Sequence, residues 1–111
     1  MSATVSQTPP AARIVRAMIR NVVLIKLREH ADPDAIAEIQ KGFRGLDCPG
    51  TVSYTLGNDI GAREGAWSFA IVADFESLAA YRAYDLDVEH NRLRDDLAAH
   101  VEQIARVQFE L

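Results

Sequence analysis

A tyrosine and a histidine stand six residues apart in the stretch Ala83–Arg94, AYDLDVEHNRLR, among charged side chains. Histidine is scarce here; His90 is one of only three. A neutral imidazole can remove a proton from a carbon flanked by carbonyls, and a phenol can donate a hydrogen bond to the oxygen on which charge develops. Tyr84 and His90 therefore have the right chemical types for proton transfer if the fold places them in one pocket. The spacing permits this. Tyr84 falls at the end of one helical run, Asp85–Val88 reverses the chain, and His90 lies in the first turn of the next run. A first-turn position favours the neutral ring, because the helix N-terminus repels positive charge. The competing role for His90 is structural, with the ring bonded to a backbone carbonyl or capping the helix. For Tyr84 it is a core aromatic whose hydroxyl reaches the rim. Asp87 and Glu89 could orient the imidazole if the turn folds them inward.

Other side chains could line such a pocket. Asn21 is an amide near the start of an apolar run, where a buried polar group must find partners. Tyr54, Trp67 and Phe69 are the aromatic candidates, with alternation sending Trp67 and Phe69 to one side of a strand. Ordinary core packing is the alternative for all three.

Several chemistries are absent from the pattern. His30, His90 and His100 are scattered, with no pair at metal-ligand spacing, and neither a metal nor an organic cofactor is expected. The segment GNDIGAREG lies between two strand patterns, so it is not a phosphate-binding loop opening a helix. No nucleophile elbow occurs. Cys48, before Pro49, has nothing cationic nearby in sequence to activate it. A net charge of -4, with arginines interleaved among Asp and Glu, argues against a nucleic-acid surface. There is no apolar run long enough to span a membrane. A single cysteine and the lack of a signal-peptide pattern imply a reducing cytoplasm.

The elements that must position these residues follow from periodicity. The chain of 111 residues is sized for one domain. Residues 1–17, with Pro9 and Pro10, are expected to be a disordered extension, the ordered domain occupying 18–111; Met18 could itself serve as a start. IRNVVLIKL (19–27) predicts a strand buried on both faces. Asp32 as N-cap, Pro33 at the first position and Ile36, Ile39 and Phe43 at helical spacing predict a helix. Gly42 and Gly45 should weaken its end, and Cys48-Pro49-Gly50 should stop it. TVSYTLG (51–57) predicts a half-buried strand with Val52, Tyr54 and Leu56 inward, and AWSFAIVADF (66–75) a third strand. A helix opens near Glu76 or Ser77. A second run from Val88 places Leu93, Leu97 and Val101 on one face, and RVQFEL (106–111) closes the chain as a short strand.

The order β-α-β-β-α-α-β predicts an α+β, ferredoxin-like fold with a four-stranded antiparallel sheet and its helices on one face. The other face would carry Val22, Leu24, Ala70 and Val72, apolar surface that needs a partner. A two-fold homodimer with sheets face to face is expected.

The pieces NVVLIKL, CPGTVSYTLG, WSFAIVADFES and YRAYDLDVEHNRLR, ahead of VQFEL, resemble the stress-responsive A/B-barrel proteins, or Dabb domains, over residues 18–111. That resemblance implies a dimeric α/β barrel. Some members resemble small cyclases that close linear polyketide-like substrates, with a tyrosine and a histidine at the positions matching Tyr84 and His90 facing the pocket. The same pattern has histidines at positions matching Asn21 and Phe69, so two polar partners for such a chain are missing here. Three functions follow. One is a cofactor-independent cyclase or lyase acting on a small hydrophobic or aromatic substrate, with His90 as general base and Tyr84 as donor. Another is a non-enzymatic stress-related or ligand-binding dimer. The third is a cofactorless monooxygenase, a chemistry known in related dimers and compatible with Trp67 and Asn21.

Overall fold

The computed structural model describes residues 17–111, so the expected extension lies outside them except for Ala17. Strand β1, Ile19–Leu27, has the β-branched composition that suits a pleated surface. Its burial alternates: Ile19, Asn21, Val23 and Ile25 point beneath the helices, while Arg20, Val22, Leu24 and Lys26 point to the opposite face. Helix α1, Pro33–Arg44, starts as its sequence dictates, with Asp32 Oδ1 accepting from the Asp34 N–H at 3.0 Å. Ile36, Ile39 and Phe43 form its buried stripe. Gly42 does not break it; its bare Cα lets Leu93 press against the helix where a Cβ would overlap that side chain.

A tight turn follows. The Thr51 N–H donates to the Cys48 carbonyl at 3.2 Å, and Gly50 takes φ 87°. Pro49 and Gly50 thus occupy the two central positions of a type II turn, the second of which requires positive φ. Strand β2 runs Thr51–Asn58. A register shift between Thr51 and Ser53 turns Val52 outward, 57% exposed, against the simple alternation expected of it. Strand β3 is Phe69–Phe75, three residues shorter than the apolar pattern suggests. At Ser68 the hydroxyl accepts from the Leu27 N–H, and the strand pairing begins only at Phe69. Trp67 consequently lies outside the strand.

Helix α2, Leu78–Asp85, is capped by the Ser77 hydroxyl, which accepts from the Ala80 N–H. Helix α3, Val88–Ala98, is capped by Asp87. Leu93 and Leu97 are buried as their spacing predicts, but Val101 is not their helical continuation. It opens β4, Val101–Glu110, a ten-residue strand that begins five residues before the expected one. The reason is tertiary. The His100 N–H closes a turn on the Leu97 carbonyl, the His100 carbonyl accepts from the Arg28 N–H, and β1 then pairs with β4 along its whole length. Ladder pairing outweighs the weak helical preference of VEQIA.

The sheet order is β2-β3-β1-β4, with every pair antiparallel. With the element order β-α-β-β-α-α-β this is the ferredoxin-like arrangement. One core joins Val23, Ile25, Phe69 and Ile71 of the sheet to Ile36, Phe43, Leu93 and Leu97 of the helices. A second packs Ala73, Phe75 and Tyr84 together. The other face has no layer over it in the single chain; Leu24, Val107 and Phe109 are 44%, 58% and 44% exposed there. On the same face Arg20 forms a two-pronged pair with Asp74 across the β1–β3 ladder, at 2.7 and 2.8 Å.

Replacing Gly50 by Ala should destabilise the fold by ~1–3 kcal/mol, because the new Cβ is strained at positive φ and meets the Ala80 Cβ. Urea unfolding measures it; an unchanged midpoint would show that the turn tolerates a side chain.

Candidate active site

Tyr84 is the penultimate residue of α2 and His90 lies in the first turn of α3, with only Leu86 and Asp87 between the helices. The reversal is fixed by Asp87, whose Oδ2 accepts from the backbone N–H of His90 at 2.9 Å. This cap delivers both side chains to the covered face of the sheet, where Tyr84 is 3% and His90 5% exposed. The imidazole lies against the Tyr84 ring, centroids 4.1 Å apart, with the Phe43 ring edge-on at 6.1 Å.

The backbone carbonyl of Asp85 stands beside the imidazole and favours its protonated form. Nδ1 is shut off from solvent and has no hydrogen-bond partner among the described residues. Burial lowers the proton affinity of the ring, Arg94 lowers it further, and Asp85 and Asp87 offset part of the effect. The first-turn position acts in the same direction as burial. Of the two carboxylates considered as orienters, Asp87 caps the backbone and Glu89 points outward to Arg92.

The imidazole borders a cavity of about 40 Å³ lined by Asn21, Tyr81, Tyr84, Arg94, Ile104 and Arg106, among others. That volume admits one or two water-sized groups. Asn21 is 3% exposed, and its Oδ1 accepts from Gln108 on the neighbouring strand at 2.9 Å. Tyr84 presents its ring to the cavity, and its hydroxyl meets the Tyr54 hydroxyl at 2.8 Å. Burial keeps both phenols protonated: Tyr54 is pushed up to about 12, and Tyr84 is raised further by the neighbouring hydroxyl.

The structure thus brings together Asn21, Tyr84 and His90, with Tyr54 attached through Tyr84. Trp67 and Phe69 do not join them. Trp67 borders a separate hollow of about 590 Å³ with Leu24 and Ala70 on the uncovered side of the sheet. The expectation that they share the His90 pocket fails because Trp67 precedes β3, where strand alternation does not apply. Phe69 is itself core, 3% exposed. Arg106 and Gln108 escaped the sequence reading. They share the face of Asn21, but that follows only once β4 is known to pair with β1 from Val101 onward. Among the described residues, no group of three or more His, Cys, Asp or Glu side chains is placed to hold a metal ion.

This fold and site define a ferredoxin-like α+β domain with a buried imidazole beneath its helices. The family model of the stress responsive A/B barrel domain, Dabb, matches residues 19–111, and the chain belongs to that family. No curated protein matches the chain. Among solved structures, a dimeric ferredoxin-like protein of unknown function from Thermobifida fusca is 25% identical, with a TM-score of 0.79 over 86% of this chain and 92% of that one. A hydroxynitrile lyase from Passiflora edulis is 16% identical, with a TM-score of 0.75 over 86% of this chain and 94% of its own. A Dabb family protein from Mesorhizobium loti is 21% identical, with a TM-score of 0.65 over 85% and 96%.

A ring whose proton affinity is lowered by folding binds its proton first in the unfolded chain, so acid favours unfolding. His90 should contribute stability that is complete above the ordinary value of 6.5 and is lost as pH falls below it. Denaturation of the wild type between pH 7.5 and 5 should therefore show a fall that His90→Gln, which cannot titrate, lacks. Parallel curves would mean that the ring titrates alike folded and unfolded.

Proposed function

We propose that this Dabb protein is a cofactor-independent lyase or cyclase in which His90 is the general base. The observation that carries this reading is the His90 imidazole, 5% exposed, lining a small cavity together with Asn21 and Tyr84. A buried titratable ring in a cavity wall is the setting a general base requires. A substrate C–H placed in the cavity would give its proton to the imidazole, and its electron pair would move onto the adjacent carbonyl oxygen as an enolate. The Asp85 carbonyl, which favours the protonated ring, would then steady the imidazolium. With Oδ1 of Asn21 bound to Gln108, the Asn21 amide nitrogen can donate to the enolate oxygen. Tyr84, the donor the family resemblance suggests, lies against the imidazole; with Tyr54 donating within the hydroxyl pair, the Tyr84 proton would remain for the same oxygen. The hydroxynitrile lyase of the same fold shows that this architecture can host lyase chemistry in a distant relative.

A second reading, a dimer that binds a ligand without turnover, is favoured by the 590 Å³ hollow beside Trp67, which is large enough for an aromatic molecule. The two readings part on proton transfer. Wild-type protein should speed exchange of the C-2 protons of acetoacetate for solvent deuterium, followed by NMR. His90→Gln should lower that rate by about 10²-fold or more. Equal rates would remove His90 as the base.

We further infer a homodimer closed over the uncovered face of the sheet, in a cytoplasmic protein. Support comes from the exposed Leu24, Val107 and Phe109 and from the dimeric state named for the Thermobifida fusca neighbour. No helix among the described residues is long and apolar enough to cross a membrane. Sedimentation velocity at micromolar concentration should give a dimer for the wild type and a monomer for Leu24→Asp, which would strand a carboxylate in the interface. A monomeric wild type would refute the assembly.

A further inference from the structure

The mouth of the His90 cavity carries an excess of positive charge that the proton-transfer reading does not use. Arg94 and Arg106 both line the cavity, with Asp85 the only carboxylate beside them. Asp85 is taken by Arg94, whose Nη1 donates to Oδ1 at 3.0 Å. Arg106, among the described residues, has no carboxylate within ion-pair distance. It stands on β4 opposite Val23, on the helix-covered face, so its guanidinium reaches over the cavity rather than toward the open side of the sheet. The surroundings sharpen the contrast: the chain as a whole is acidic, at -4. A free guanidinium lining the same cavity as a buried imidazole is a two-point site, one point for an anion and one for a proton.

The geometry points to a small organic anion as the ligand of this cavity, a carboxylate that bears a carbonyl-activated C–H. We propose that its carboxylate meets the Arg106 guanidinium and its acidic carbon faces the His90 imidazole. This inference rests on the reading of His90 as the base and narrows its substrate class. It also fits the dimensions. A 40 Å³ cavity admits only the reacting end, while the rest of the ligand would lie along β4 against Ile104, which is 38% exposed. A planar guanidinium is suited to this task, because it meets a carboxylate through two parallel hydrogen bonds.

The test compares two probes of nearly the same shape, acetoacetate and acetoacetamide, titrated into the full chain while the His90 ring signals are followed by NMR. Acetoacetate should shift them with a Kd at least about tenfold lower than that of the amide, the difference expected of a charge-assisted contact. Arg106→Gln should abolish this preference and leave binding of the amide unchanged. The unperturbed backbone spectrum of that variant would show that the fold is intact. Equal binding of the two probes, failure of both to reach His90, or a preference that survives Arg106→Gln would each overturn the inference. Equal binding alongside His90-dependent deuterium exchange would remove the anion preference and leave the proton-transfer reading standing. Preference without exchange would support the anion site and remove that reading.

Discussion

A four-stranded sheet has two faces, and this chain has helices for only one. That constraint organises the molecule. It divides β1 residue by residue into Ile19, Asn21, Val23 and Ile25 beneath the helices and Arg20, Val22, Leu24 and Lys26 on the far side. The covered side holds nearly all the tightly packed side chains and the buried polar site. The uncovered side keeps large apolar residues in water, stitched across by the Arg20–Asp74 pair. Arg20 holds the Asp74 carboxyl below its ordinary range, so a charged group can stay within an otherwise apolar face.

The helix layer is also narrower than the sheet. It covers β1 and β3 and gives out over β4, where Ile104 is only partly shielded. The cavity sits at that margin, between the junction of α2 with α3 and the exposed strand. Position within the fold thus explains the combination found there. The imidazole is deep enough to lose its charge, yet close enough to the edge of the layer for a small molecule to reach it. Arg94 and Arg106 stand where that edge meets solvent. The same capping carboxylate, Asp87, that ends the chain reversal also sets the height of His90 above the sheet.

Much of this was legible from residue order. Asp32 and Pro33 announce α1, Cys48-Pro49-Gly50 marks where it must stop, and the alternation of apolar runs with helical spacing points to the ferredoxin-like order. Tyr84 and His90 could be placed on either side of a reversal because Asp85–Val88 is rich in capping residues. What could not be read depends on pairing between distant strands. The start of β4 is set by hydrogen bonds to β1, and VEQIA by itself is compatible with a helix. Misplacing that start hides Arg106 and Gln108 from the site. The outward turn of Val52 comes from a register shift that no local pattern encodes. Trp67 was drawn toward the wrong pocket by extending strand periodicity past the point where the strand begins. Asp87 and Glu89 are natural candidates to orient His90 by sequence, but Asp87 serves as the cap of α3 and Glu89 pairs with Arg92.

The chemistry depends on the state of one ring: His90 neutral at physiological pH, kept so by burial. Nitrogen-15 NMR of the histidine side chains reads this directly, since protonated and bare ring nitrogens differ widely in chemical shift. A singly protonated His90 ring is expected at pH 7, with titration below the ordinary histidine value. A doubly protonated His90 ring at that pH would contradict it.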